Sequence, residues 1–424
     1  CDLGTSCTKV VVGDNARGIA VAIPLAKEIH SPSAGETGSI SDFLLPTGKG
    51  DPKFVFMTAI KNAARQDPLD HSIVIPLISY LAIVLEKSRS SFLKQVGEAS
   101  YADVDLVWQV NLGVPCRMAA GSQLANAFRV VALAAAHLAW SGNKGADRET
   151  AIRQSLNLAR NAARSNWVLE NTPTVEVIPE IIAEIQGYRR SPRAVRGLHA
   201  LIDVGATTVD IATFLIHEHQ GENVFPILAA EVLEIGCSRL HERRMGRMDE
   251  AVKVWRTSLS ATRTHDKSIP DAVSVSQDAV SAIKDSFKAT DSATMNELGV
   301  ALHKILKFTR ERRDPNSRAF EQGLRVFVCG GGKNAPVFSE KFDSLLGNGK
   351  LIRGVDLQRL DLEAPERLTV HSKIQSGYDR LAVAYGLSFP VIDFGRIELP
   401  ESIEDIEPQT GAHAWSEAVG KDQV

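Results

Sequence analysis

From Ser72 to Phe92 apolar residues recur at helical spacing, with Ile78, Leu81, Ala82 and Leu85 on one stripe, which predicts a helix facing a core. Gly121 to Trp140 shows the same period in an Ala- and Leu-rich run that stops before Gly142. Short apolar runs predict strands at Val104 to Val114, Val175 to Ile178, Leu198 to Val204, Val209 to Ile216 and Leu324 to Cys329. Cys1 to Gly13 reads as a strand end, a glycine turn and the β-rich Lys9 to Val12. Helices are expected from Pro179 to Tyr188, over Ala335 to Leu346, over Tyr378 to Leu387, and through most of residues 240 to 322. Residues 30 to 52, rich in Ser, Gly and Pro, read as a loop. Beyond Pro390 the pattern fades into acids (Glu398, Glu401, Glu404, Asp405, Glu407), a surface tail. The strand-turn-strand unit occurs twice.

A chain of 424 residues favours two or three compact units, and 44% hydrophobic with 23% charged residues describes ordinary globular material. The net charge of −3 offers no field for polyanions, so no nucleic acid is expected as a partner. Five scattered cysteines (Cys1, Cys7, Cys116, Cys237, Cys329) without a CxxC pair fit neither a disulfide scaffold nor a zinc site, and point to a reducing cytoplasm. The run Ile73 to Leu85 is too short to span a bilayer, and no signal peptide opens the chain, so no membrane is expected. Because the first motif begins at Asp2, before a strand could form, residues ahead of Cys1 are expected to be missing.

Three turns carry the candidate chemistry. In Asp2-Leu-Gly-Thr-Ser-Cys-Thr-Lys9, Gly4 permits close backbone approach, Thr5, Ser6 and Lys9 add donors for an anion, and Asp2 can hold a metal through water. In Asp203-Val-Gly-Ala-Thr-Thr-Val-Asp210, two carboxylates flank Gly205 and the hydroxyls of Thr207 and Thr208, directly against an apolar strand. Buried acids need a partner, and a metal with phosphate supplies one. In Val326-Phe-Val-Cys-Gly-Gly-Gly332, glycines at the end of a strand let a flat ring or ribose lie against the backbone ahead of a helix N-terminus. Taken alone, the first turn is equally a plain β-turn and the triple glycine is usually a loop, whereas a solvated hairpin would not need the apolar lead-in of the second.

In this order the three turns resemble the phosphate-1, phosphate-2 and adenosine motifs of the ATPase superfamily of actin, the 70-kDa heat-shock chaperones (DnaK-like) and sugar kinases. The spacing is most similar to the chaperone nucleotide-binding domain. Val107 to Pro115 looks like the strand ending in Val-Pro there. Ile178 to Glu184 looks like the first connecting helix, placing Glu180 where the family keeps an acid near the attacking water. Leu233 to Gly236 looks like the glycine turn after phosphate-2, and Ala382 to Leu387 like the second connecting helix. Two departures lean elsewhere. Ala206 and Thr207 replace chaperone glycines as in plasmid-segregating actin-like proteins, and Lys9 sits where actins keep their phosphate lysine. The chaperone lysine lies further along; Lys61 is matched to it only loosely.

The resemblance implies an α/β chain of two ribonuclease-H-like lobes, each on a five-stranded sheet, around a central nucleotide cleft. Lobe I would be residues 1–197 plus 372–393 and lobe II residues 198–371, with 394–424 an acidic tail. It also implies ATP or ADP with Mg2+ as cofactors. Asp2, Asp203 and Asp210 would serve the metal. Gly4, Thr5, Ser6, Lys9, Gly205, Thr207, Gly330, Gly331 and Gly332 would hold nucleotide. Glu180, Asp203 and Thr208 would carry a slow ATP hydrolysis. The leading expectation is a chaperone-like switch without a peptide-binding domain, acting on a protein partner. A filament-forming actin-like ATPase, a small-molecule kinase and a non-hydrolysing scaffold are the rivals. His217 and His219 read as surface residues, and the arginines at 189, 190, 193 and 196 as a solvated loop or a partner contact.

Overall fold

A computed structural model describes residues 1–4, 7–30, 45–46, 71–114, 123–141, 147–165, 169–245, 281–347, 355–369 and 377–406. The chain divides into two units, Cys1–Ser191 with Glu363–Phe394, and Pro192–Leu362 with Gly395–Val424. The divisions fall at 191/192 and 362/363, where the sequence placed them at 197/198 and 371/372. Each unit is a mixture of sheet and helix.

In unit 1, β1 (Asp2–Leu3) turns back into β2 (Cys7–Lys9), with Asp2 opposite Lys9. β2 runs on through Val10 into β3 (Val11–Asp14), which forms a second hairpin with β4 (Ile19–Ala22). The short β5 (Leu45–Pro46) lies beside β2, and β13 (Leu368–Thr369) runs parallel to β4. On its other side β1 meets β6 (Gln109–Val114): the Cys1 nitrogen donates to the Asn111 carbonyl at 2.7 Å, and the Gly113 amide to the Cys1 carbonyl at 3.2 Å. One residue bracketed by i and i+2 is parallel pairing. β7 (Thr174–Pro179) then runs parallel to β6. Side by side the order across the unit is therefore β4, β3 with β2, β1, β6, β7, in three separately paired sheets.

Helices cover this sheet. α2 (His71–Val96) extends the predicted helix at both ends and buries Val74, Leu77, Ile78, Leu81 and Leu85, the i, i+3, i+4 stripe of its pattern. They share a core with Val131, Ala134 and Ala135 of α3 (Gln123–Trp140) and with Val110 and Leu112 of β6. Each Val, Leu and Ile among them contributes about 1.5–3 kcal/mol by leaving water. α4 (Arg148–Ser165) packs on α3 through Ala151, Ile152, Leu156 and Ala159. The short α1 (Leu25–His30) completes the first part of the unit. The segment predicted as one helix to Tyr188 is α5 (Glu180–Glu184) followed by α6 (Gln186–Arg189). α11 (Ala382–Gly386) lies so close to α5 that a Cβ on Gly386 would overlap the Ala183 carbonyl.

Unit 2 repeats the strand order in one continuous sheet. β8 (Gly197–Val204), β9 (Val209–His219) and β10 (Glu222–Leu233) form an antiparallel meander. β11 (Leu324–Cys329) runs parallel to β8 on its other side, and β12 (Leu357–Leu360) parallel to β11. A sixth strand, β14 (Arg396–Glu398), lies parallel to β10 at the edge. The tail expected from residue 394 is thus structured at its start. Arg313 holds the following turn by donating to the carbonyls of Ile403 and Pro400.

Leu198, Ala200, Ile202 and Val204 alternate onto one face of β8. There they meet Leu298, Leu302 and Ile305 of α8 (Ser281–Phe308) and Phe338 and Phe342 of α10 (Pro336–Gly347). α9 (Ala319–Gln322) leads into β11. α7 (Cys237–Met245) is tied to α8 by a fork-to-fork pair, Arg244 Nε to Asp291 Oδ1 at 2.6 Å and Nη2 to Oδ2 at 2.7 Å. On the opposite face of the sheet His199 is fully buried, stacked on Phe214 and Phe327 with ring centroids 5.7 and 5.8 Å away. No helix among the described residues is long and apolar enough to cross a membrane. The described cysteines, Cys1, Cys7, Cys237 and Cys329, are buried and form no disulfide with one another.

Candidate functional site

The candidate residues fall into two groups, one per unit, each at the carboxyl ends of parallel strands, where open α/β sheets place their ligands.

In unit 1 the group is Asp2, Lys9 and Glu180. The β1–β2 register sets Asp2 beside Lys9, and Lys9 Nζ donates to Asp2 Oδ2 at 2.5 Å. Asp2 is 3% exposed, so this carboxylate is compensated by the ammonium rather than by water. Burial alone would lower the Lys9 ammonium. The charge and hydrogen bond of Asp2 outweigh it, with smaller contributions from Cys7 and Glu180, and hold Lys9 above its ordinary value. Glu180 opens α5 immediately after β7 and lies against β6, with its Cγ 3.1 Å from the place of a Cβ on Gly113. β1, its antiparallel partner β2 and the end of β7 therefore deliver one cation among two carboxylates. Gly4 sits in the turn with Lys9 Nζ 3.2 Å from its Cβ position. Thr5, Ser6 and Lys61 lie outside the described residues.

In unit 2 the hairpin register places Asp203 directly opposite Asp210, at the base of the Gly205-Ala206-Thr207-Thr208 turn. Two like charges facing across a ladder repel, and a cation offsets the repulsion. The turn is closed by the Gly205 amide donating to the Thr208 carbonyl at 2.9 Å.

Its other face is held by backbone alone. The amides of Gly236, Cys237 and Ser238, leading into α7, donate to the carbonyls of Thr207, Gly205 and Ala206 at 3.1, 3.1 and 2.6 Å. In a trans peptide each carbonyl opposes the following N–H, and the chain has no cis bond among its described residues. With three successive carbonyls turned toward α7, the amides of Ala206, Thr207 and Thr208 face the opposite side together, the arrangement of an anion nest. Gly236 is required by this approach, since a Cβ there would stand 2.7 Å from the Ala206 and Gly205 carbonyl oxygens.

The third turn packs on the first strand of the same sheet. Gly330 has φ +85, and a Cβ on it would overlap Asp203 Oδ1. The Gly332 amide donates to the Val204 carbonyl at 2.9 Å, and a Cβ on Gly332 would overlap Cys237 Sγ. Burial pushes the Cys237 thiol up to about 12, so it is an inert packing group. Glycine at 330 and 332 is thus explained by contact with β8 and α7. Gly331 alone of the three is exposed.

The sequence reading placed Asp203, Asp210, Gly205, Thr207, Thr208 and the glycine turn in two separate motifs, and the structure brings them together at one end of the unit 2 sheet. It did not find the amides of 236–238; Gly236 was their one visible sign. Asn111 was also missed. It lies buried in β6 and donates to the carbonyls of Leu387 and Phe389 at 3.0 and 2.7 Å, fixing the chain after α11. His217 is exposed, as expected.

No family profile matches the chain, and no curated protein matches its sequence. Among solved structures it is similar to the crystal structure of ethanolamine utilization protein EutJ from Carboxydothermus hydrogenoformans, at a TM-score of 0.36 and 13% identity over 91% of this chain and 87% of that one. So slight a likeness carries no functional weight.

Proposed function

We propose that the chain is a magnesium-dependent ATP-binding protein that hydrolyses ATP slowly and acts as a nucleotide switch. The observation that carries this reading is the turn at residues 205–208, whose carbonyls are held on one side so that three successive amides face the other. A plain hairpin needs no such support, whereas phosphate oxygens need several fixed donors at once. The five-strand order shared by the two units supports it further, since the superfamily resemblance calls for two such sheets.

In this mechanism the amides of 206–208 and the Thr208 hydroxyl hold phosphate, and Lys9 neutralises phosphate charge. Asp203, Asp210 and Asp2 suit a hard cation. Among the described residues no cluster of three or more His, Cys, Asp or Glu is placed to hold a metal by itself. A few carboxylates with water and phosphate oxygens are the usual environment of Mg2+, which when bound supplies charge to the departing phosphoryl group. Glu180 orients the attacking water. Calorimetry with ATP and ADP, with and without Mg2+, tests the reading. Micromolar or tighter affinity, about −8 kcal/mol, is expected, and no heat with either nucleotide overturns it.

A filament-forming actin-like ATPase is the second reading. It is favoured by Lys9, placed on β2 against Asp2 rather than further along the chain. Sedimentation separates the two, because the filament pellets only with ATP, while the switch stays in the supernatant and acts on a protein partner.

A further inference from the structure

Part of the arginine-rich segment after α5 is packed into unit 1. Arg189, at the end of α6, and the following Arg190 turn toward Phe389 and Asp393, beyond α11. Arg367, just before β13, reaches the same ring. The Arg190 guanidinium carbon lies 3.7 Å from the Phe389 centroid and that of Arg367 4.6 Å, so two cations share one aromatic ring. Arg189 Nη2 and Arg190 Nη2 both donate to the Asp393 carbonyl, at 2.7 and 3.1 Å. Gln186 Oε1 accepts from Arg189 Nε at 3.1 Å and from Arg190 Nη1. Arg367 Nη2 donates to Asn15 Oδ1 and to the Ile19 carbonyl, while its buried Nε has no acceptor among the described residues.

These bonds hold the guanidiniums in place but scarcely neutralise them. Among the described residues the one carboxylate pairing with Arg190 is Asp393, 3.7 Å away and 43% exposed, and none pairs with Arg367. Burial, then Arg189, lowers Arg190 to about 10, with Arg367 adding to the effect. Arg190 and Arg367 thus set two guanidiniums against one half-exposed carboxylate, and leave positive charge in excess on fixed, partly buried forks. A fork of planar N–H donors matches the oxygens of an oxyanion such as phosphate, and the charge excess favours it.

We propose that Arg190 and Arg367, with Arg189 beside them, form a binding site for a phosphate dianion, free or as a monoester. The site uses none of the phosphate turns described above and stands whether or not they bind nucleotide.

The test is calorimetric titration of the full chain with inorganic phosphate and, in a second arm, O-phosphoserine, against chloride at matched ionic strength and with ADP and Mg2+ present and absent. Saturable phosphate binding that survives ADP is expected. Tighter binding of phosphoserine would identify the monoester as the ligand, and tighter inorganic phosphate the free ion. Arg190→Gln and Arg367→Gln should each weaken it about tenfold. Asp393→Asn, which removes the competing carboxylate while keeping the backbone acceptor, should tighten it, a gain that misfolding cannot produce. Phosphate affinity unchanged in both arginine variants, or not increased in Asp393→Asn, overturns the proposal, as does a response equal to that of chloride. Loss of ADP binding with the phosphate response intact would count against the nucleotide reading alone.

Discussion

Gly330 lies against the carboxylate of Asp203, so close that even a methyl group on residue 330 would collide with Oδ1. The glycine turn and the carboxylate of the hairpin, far apart in sequence, are therefore parts of one packed unit.

Gly330→Ala forces an L-residue into φ +85 and a side chain into Asp203, and should destabilise unit 2 by about 3 kcal/mol. Gly331→Ala, at the exposed position, should change stability by about 0.5 kcal/mol or less. Urea unfolding of the two variants checks the contrast, and equal effects would show that the turn is not seated on β8.

Ser238→Pro removes the amide that donates to the Ala206 carbonyl, at a first-turn helix position where proline is tolerated. The expected cost in stability is about 1 kcal/mol, the net worth of one hydrogen bond. ATP affinity should fall about tenfold, because the nest loses one of its three supports. Retention of full affinity in a folded variant would remove the turn from the binding reading.

Glu180→Gln keeps the shape of the first residue of α5 but removes its charge from the group around Lys9. ATP binding should persist while hydrolysis slows about 10²- to 10⁴-fold, the range for a positioned acid or base. Single-turnover assays decide, and a variant as fast as the parent leaves Glu180 without the role.

His199 is held by burial at about 4, against an ordinary 6.5, despite the hydrogen bond between its Nδ1 and the Gly197 carbonyl. Below pH 6.5 the unfolded chain takes up a proton that the folded ring refuses, so stability is full above 6.5 and is lost as pH falls toward 4. The loss should reach about 3 kcal/mol, and His199→Phe should flatten that part of the profile. Parallel profiles for parent and variant would acquit the histidine.

The sheet positions were legible where the chain is apolar on both faces, as in β8 and β11, because buried parallel strands read as unbroken Val, Leu and Ile. β10 went unseen because Pro226 interrupts its apolar run from Val224 to Ala230, and a proline inside a run argues against a strand. α4 was missed because its buried stripe is half alanine with a serine, and β14 because an edge strand of three residues depends wholly on its neighbour. Within the site, Asp2, Lys9, Asp203 and Asp210 were visible through the glycines beside them. The support of the 205–208 turn was not, since backbone donors leave no side-chain signature apart from the glycine that admits them.

The five repeated strands of unit 2 are complete by Leu360, but unit 1 closes only when α11, at 382–386, packs on α5. A ribosome making this chain therefore finishes those five strands, though not the edge strand β14, while the earlier unit still waits with the surface of α5 uncovered. Domains encoded first ordinarily fold first. Here both units wait for the last stretch of the chain, and one stopped between residues 362 and 381 would lack β14 in the second unit and α11 in the first.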